Sequence, residues 1–243
     1  MNIGFQGKTA LILGGSSSIG LALTRLLQDE GLIAILTHAS KDGLARIKGH
    51  FPDLATGSPH LDFSDVSDEA LASALENDVD YLIDLAQADH ETYLAAASQT
   101  DMDAYFKAHV TGRLRVLKAV TRSMLARRFG RLLHVSSTAA TLPAPGQGLY
   151  GAAKRATEGL YQSFALELGS RGVSALSLRL GLVDAGRGER FLDRENRRQD
   201  LAQKIVTVDQ AAATLLFLLS DQALALTCTT ITMDAGLTAQ KYL

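Results

Sequence analysis

Short apolar, β-branched runs recur along the chain at Thr9–Leu13, Ile33–Leu36, Tyr81–Leu85, Arg131–Ser136, Val173–Leu180 and Thr229–Met233, with a weaker one at Ser58–Asp62. Most of them lack polar alternation, which predicts strands buried on both faces. Between the runs, apolar residues return with helical period. Ile19, Leu23, Leu26 and Leu27 form one stripe; Phe106, Val110, Leu114, Leu117 and Met124 a second; Ala153, Thr157, Leu160, Phe164 and Leu168 a third. Each stripe reads as plain core. Strand–helix alternation repeated this often predicts an α/β, doubly wound fold: a seven-stranded, mostly parallel sheet with helices on both faces.

Composition narrows the function classes. The chain has 243 residues and no repeat, low-complexity tract or linker, which suits one large core rather than several. A formal charge of −2 gives no global field for nucleic acid or an anionic membrane. No run reaches the roughly 18 apolar residues of a membrane span, and the opening MNIGFQGKTALIL lacks the pattern of a signal peptide. The single cysteine, Cys228, cannot form an internal disulfide, and no metal-type Cys/His spacing appears. The expectation is a cytoplasmic protein in a reducing compartment, with no metal.

In such a sheet, ligands bind where loops leave the carboxyl ends of the strands. After the first strand comes GGSSSIG, Gly14 to Gly20, running into a helix. Gly14 permits a tight turn and close backbone approach to a phosphate, Ser16, Ser17 and Ser18 add hydroxyls, and Ile19 and Gly20 open the helix whose positive end faces an anion. Strand, loop and helix in this order predict a dinucleotide site. An acid after the second strand would hold an adenosine ribose and repel a 2′-phosphate. Here Thr37, His38, Ala39 and Ser40 offer none, and Ser40 and Lys41 can meet a phosphate, so NADP(H) is favoured over NAD(H). Lys41 as a solvated loop charge is the plainer alternative.

Ser137 leaves the fifth of these runs, and Tyr150 opens the helix that follows, with Lys154 four residues on and on the same face. A free phenol has a pKa of about 10; an adjacent ammonium stabilises the phenolate and lowers it. Serine can then hold a carbonyl oxygen while tyrosine exchanges a proton with it. Alone, the pair would pass for a helix-start aromatic and a surface charge; the serine and the glycine loop argue otherwise.

At these residues the chain resembles the short-chain dehydrogenase/reductase family, and most closely its 3-oxoacyl-(acyl-carrier-protein) reductases. Ser137, Tyr150 and Lys154 stand at the family's catalytic spacing. The resemblance implies a single Rossmann-like domain over 1–243, with Asp62 and Phe63 at the adenine positions, Ala86 beside the ribose and Val183 beside the nicotinamide. It also implies pairing of helices Met102–Arg128 and Tyr150–Ser170 in homodimers or homotetramers. Two departures stand out. Asp84-Leu85-Ala86-Gln87 replaces the usual Asn-Asn-Ala-Gly, and His109 occupies the place of the asparagine that helps hold a water between lysine and solvent. Histidine titrates near neutrality and can relay protons itself; the alternative is an interior histidine and an impaired relay.

Residues 184–206 fall at the family's substrate lid. From Val183 to Thr207 there are six basic and five acidic residues, which a solvated helical face explains. In the sharper reading, Arg187, Arg190, Arg194, Arg197 and Arg198 guide an anionic substrate or an acyl carrier protein, with Arg128 and Arg171 extending the surface. The expected activity is NADP(H)-dependent reduction of a 3-oxoacyl thioester, in fatty-acid or polyketide synthesis. The rival is a weak or inactive homologue serving as partner subunit of an active reductase. A sugar or steroid alcohol dehydrogenase would share the chemistry and differ in the pocket.

Overall fold

The structure is a computed structural model that describes residues 3–193 and 197–239. Its strands are β1 (Thr9–Leu13), β2 (Ile33–Leu36), β3 (Tyr81–Asp84), β4 (Gly130–Ser137), β5 (Val173–Leu180), β6 (Leu182–Val183), β7 (Ile205–Val206) and β8 (Thr229–Met233). Six of them form one sheet in the order β2-β1-β3-β4-β5-β8, every neighbouring pair parallel, while β6 and β7 pair separately. The α-helices are α1 (Ser18–Asp29), α2 (Lys41–His50), α3 (Pro52–Ala55), α4 (Asp68–Ala74) and α5 (Gln99–Phe106). They continue with α6 (Arg113–Arg127), α7 (Gly148–Leu168), α8 (Arg187–Leu192), α9 (Arg197–Asp200) and α10 (Val208–Leu219).

The sheet has six strands, not the seven expected. The run Ser58–Asp62 makes only one bridge, His60 to His38. Pro59 lacks the N–H that a ladder requires, so pairing does not extend.

Strands without polar alternation are explained by their two buried faces. In β1, Ala10 and Ile12 join a cluster with Leu23 and Leu27 of α1 and Leu215 and Leu219 of α10. Leu11 and Leu13 join the opposite cluster, with Val116, Leu117 and Met124 of α6 and Tyr161 of α7. Each fully buried Leu or Ile contributes roughly 1.5–3 kcal/mol, so β1 is anchored from both sides.

The strand order reverses between β1 and β3, on either side of which the connections run in opposite directions. A crevice opens there, at the carboxyl ends of both strands. The helix expected over Met102–Arg128 is interrupted: Lys107–Gly112 forms a π-helical segment between α5 and α6. Around this wider turn the buried positions are Tyr105, His109 and Arg113, one residue before the apolar Phe106, Val110 and Leu114.

Candidate active site

Gly14, the first residue after β1, has φ of +71°, a conformation that side-chain-bearing residues avoid. A Cβ there would lie 3.0 Å from Ala86, so the loops after β1 and β3 touch at this point. Thr37 ties the turn to β2: its Oγ1 accepts from Gly14 N at 3.2 Å and its carbonyl from Gly15 N at 3.0 Å. Ser17 caps α1 by accepting from Gly20 N at 3.1 Å. No acidic residue occupies the first turn of α1, which leaves its positive end uncompensated. This cradle fits a dinucleotide's diphosphate: bare backbone at a tight turn, facing a helix start.

On the adenosine side, His38 is buried, its Nδ1 3.1 Å from the carbonyl of Ser40. Ser40 caps α2 through Gly43 N, and Lys41 is the exposed first residue of that helix. Arg46 of α2 donates to Ser18 Oγ at 3.3 Å, placing a second cation beside the loop, one that sequence reasoning missed. Asp62 Oδ1 accepts from both the amide and the hydroxyl of Ser64 at 2.8 Å. Phe63 is buried, with the Arg113 guanidinium 5.0 Å over its ring.

Across the crevice, all eight residues of β4 are buried, and Ser137 is its last. Its Oγ accepts from Ala139 N at 3.2 Å, which leaves the hydroxyl hydrogen to donate elsewhere. Tyr150 lies in the first turn of α7, brought to this loop by the residue after it. A Cβ on Gly151 would lie 2.5 Å from the carbonyl of Ala139, so only glycine lets helix and loop approach this closely. Lys154 is buried one turn on; its Nζ donates to the carbonyl of Val135 at 2.6 Å and sits 6.0 Å from the centre of the Tyr150 ring. Burial pushes the Lys154 ammonium down to about 7, with Arg113 and Arg187 adding to the effect and Asp84 and Glu158 opposing it.

Ser137, Tyr150 and Lys154 line one cleft of about 440 Å³, together with Ile19 and Val183. Leu142, Leu180, Leu182 and Phe191 give it apolar walls. The structure thus brings together five of the residues expected at the site. Gly14, Ser16, Ser17, Ser18, Gly20, His38, Asp62, Phe63, Ala86 and His109 do not line this cleft.

His109 corrects an expectation. It is buried in the π-helical segment, its ring centre 4.4 Å from that of Tyr105. Ala88 N donates to its Nε2 at 3.4 Å, while its buried Nδ1 has no protein partner. Burial, then the charges of Arg113 and Lys154, push its pKa down to about 4. It therefore stays neutral at pH 7 instead of titrating there, and any part it takes in proton movement is as a neutral donor and acceptor.

The altered loop after β3 has its counterpart in a residue that sequence reasoning passed over. Asp84 and Arg113 are both fully buried, with Arg113 Nε 2.7 Å from Asp84 Oδ2. Tyr161 OH donates to the same carboxylate at 3.0 Å. Glu158, equally hidden, accepts from Ser136 at 2.7 Å and from Arg179 at 2.6 and 2.7 Å. The available signal was a carboxylate ending an otherwise apolar strand, which demands a buried cation somewhere.

Among the described residues, the arginines of the expected lid are engaged. Arg187 places its guanidinium 4.0 Å over the Tyr150 ring and faces Asp89, to which Arg190 also binds. Arg198 bridges Asp184 and Asp193 at 2.7 and 2.8 Å, and Arg197 lies 4.5 Å over Phe191. Arg194 lies outside the described residues. Among the described residues no helix is long and apolar enough to cross a membrane.

A family model described as enoyl-(acyl carrier protein) reductase matches residues 14–238. The 3-oxoacyl-[acyl-carrier-protein] reductase of Vibrio cholerae is 29% identical over 96% of this chain and 98% of its own length. That of Escherichia coli K12 is 28% identical with the same coverage. Among solved structures, an oxidoreductase of the short-chain dehydrogenase/reductase family from Burkholderia thailandensis superposes with a TM-score of 0.84 at 29% identity, over 96% of this chain and 93% of that one. With the serine, tyrosine and lysine in one cleft beside a glycine-bounded crevice, the chain belongs to the short-chain dehydrogenase/reductase family of oxidoreductases.

Proposed function

We propose that this protein is an NADP(H)-dependent reductase of 3-oxoacyl thioesters, carried on a carrier protein or on coenzyme A. The observation that carries the reading is the shared cleft, in which Ser137, Tyr150 and Lys154 stand with apolar Leu142, Leu180, Leu182 and Phe191, side chains suited to an acyl chain. The relatives named as 3-oxoacyl-[acyl-carrier-protein] reductases support the substrate class. The absence of a carboxylate among Thr37, His38, Ala39 and Ser40 directly after β2, with Lys41 next in sequence and Arg46 beside Ser18, supports the 2′-phosphate.

When bound, the nicotinamide dinucleotide supplies the hydride. The Gly14–Gly20 loop, Lys154 and Val183 would hold it. Ser137 donates a hydrogen bond to the substrate's carbonyl oxygen, and Tyr150 gives that oxygen its proton as the carbon is reduced. Lys154, as ammonium, stabilises the phenolate left on Tyr150. The outward faces of α6 and α7 are the ones proposed for homodimer or homotetramer formation; Leu166 of α7 is 74% exposed.

The test is oxidation of NADPH by the purified chain with acetoacetyl-coenzyme A, beside Tyr150→Phe. Turnover lost in the variant supports the reading. Tight NADPH binding without turnover by the parent chain overturns it in favour of a partner subunit, a reading motivated by the rebuilt Asp84 loop and by His109.

A further inference from the structure

We propose that Asp84 and Arg113 act together as the positioning pair of this site, fixing the loop after β3 against the His109 turn and setting the field at Lys154. The inference rests on Lys154 serving the reaction proposed above. Its basis is the number of separate elements that converge on one guanidinium. Arg113 meets the Asp84 carboxylate at the end of β3 through Nε and Nη2, at 2.7 and 3.4 Å. Its Nη2 also donates to the carbonyl of Ala86, the residue that touches Gly14. Its Nη1 donates to the carbonyl of His109, and Thr157 Oγ1 of α7 lies 3.4 Å from it. One planar fork thereby joins β3, the cofactor-side loop, the π-helical segment and the helix that carries Tyr150 and Lys154. A lysine would present a single point to these acceptors.

The π-helical segment is the reason the fork reaches. Tyr105 at the end of α5, His109 within the segment and Arg113 at the start of α6 succeed one another at four-residue spacing, all buried. Tyr105 completes the clamp: its hydroxyl donates to the carbonyl of Ala88 at 2.9 Å and accepts from Gln87 at 2.6 Å. Ala86 to Ala88 are thus held from the α5–α6 side by Tyr105 and Arg113.

The charges are as pointed as the contacts. Those that act on Lys154 come from four elements: Asp84 of β3, Arg113 of α6, Glu158 of its own helix and Arg187 of α8, while β4 supplies the neutral Val135 carbonyl that its ammonium meets. The imidazoles of His109 and of the buried His134 stand close enough to feel the Lys154 charge, and both are neutral. Among these, Arg113 and Asp84 form the one fully buried pair of opposite charge, and their influences on the ammonium oppose each other. Neutralising either partner leaves the other uncompensated in a medium that screens it weakly.

The experiment uses the full-length chain and two readouts, NADPH affinity by fluorescence and kcat/KM for acetoacetyl-coenzyme A, each from pH 6 to 9.5. Asp84→Asn should move the alkaline limb of both profiles to lower pH by about one unit, and Arg113→Gln should move it to higher pH by a similar amount. The double variant should fall between the two. Limbs that stay in place, or that shift the same way in both single variants, overturn the proposal. Should a single variant fail to fold, Arg113→Lys decides: it keeps the charge but not the fork. A parental alkaline limb with kcat down at least about tenfold supports the pair, and parental kcat overturns it. A parent chain inactive on the thioester but binding NADPH sinks the substrate reading alone, since the binding profiles still test the pair.

Discussion

The two strands beside the Ser137–Tyr150–Lys154 cleft end in opposite ways. β4 runs out through Ser136 and Ser137, neutral hydroxyls, one turned to Glu158 and the other to the cleft. β3 runs out through Asp84, a carboxylate that faces away from solvent and is matched by Arg113. The first flank presents its chemistry to a ligand. The second hides its charge and acts through geometry. A catalytic group needs only a free hydrogen and the right neighbour, whereas a buried charge commits several other residues to satisfying it.

That contrast can be broken from either side. On the β4 flank, Tyr150→Phe should lower kcat about a thousandfold while NADPH affinity changes little, because one hydroxyl is lost and the packing is kept; an assay of turnover beside a fluorescence titration checks this. On the β3 flank, Asp84→Ala should act mainly on stability. Removing one partner of a buried pair costs about 3–5 kcal/mol, read as a lower urea midpoint. Gly151→Val tests the closeness of the two loops: its side chain would press on the Ala139 carbonyl, costing about 1–3 kcal/mol and displacing Tyr150 from Ser137. A reduced kcat with little change in cofactor affinity is expected.

The smallest effect at neutral pH belongs to His109→Gln. With a pKa of about 4 folded against an ordinary 6.5, His109 binds a proton in the unfolded chain that it does not bind in the folded one. Its contribution is therefore absent above pH 7 and erodes stability as pH falls from 6.5 towards 4. The variant should show a shallower loss of urea midpoint over that window, with His134 and, towards pH 4, the carboxylates of Asp80, Glu158 and Asp234 supplying the remainder.

How much of this was legible in the sequence follows the same division. Ser137, Tyr150 and Lys154 lie within one strand–loop–helix passage, so local spacing carried their chemistry. The central strands β1, β3 and β4 showed themselves because they are buried on both faces, which leaves little polar alternation to confuse. The π-helical segment left no such trace. An apolar reading of that helix chose Phe106, Val110 and Leu114, while the positions turned inward are Tyr105, His109 and Arg113, whose polarity disguised their burial. Arg113 also takes its meaning from a carboxylate 29 residues earlier, a separation at which no local pattern operates. Ser58–Asp62 failed for a backbone reason, a proline where a donor was needed.

Asp89 gathers Arg187 and Arg190 onto a single carboxylate at the rim, and all three side chains keep some exposure to solvent. Contacts of that kind are worth at most about 1 kcal/mol each and weaken with salt. The ion pairs at the mouth over Tyr150 are accordingly weak beside the stacking of Arg187 on that ring, and raised ionic strength should loosen the pairs while leaving the stack.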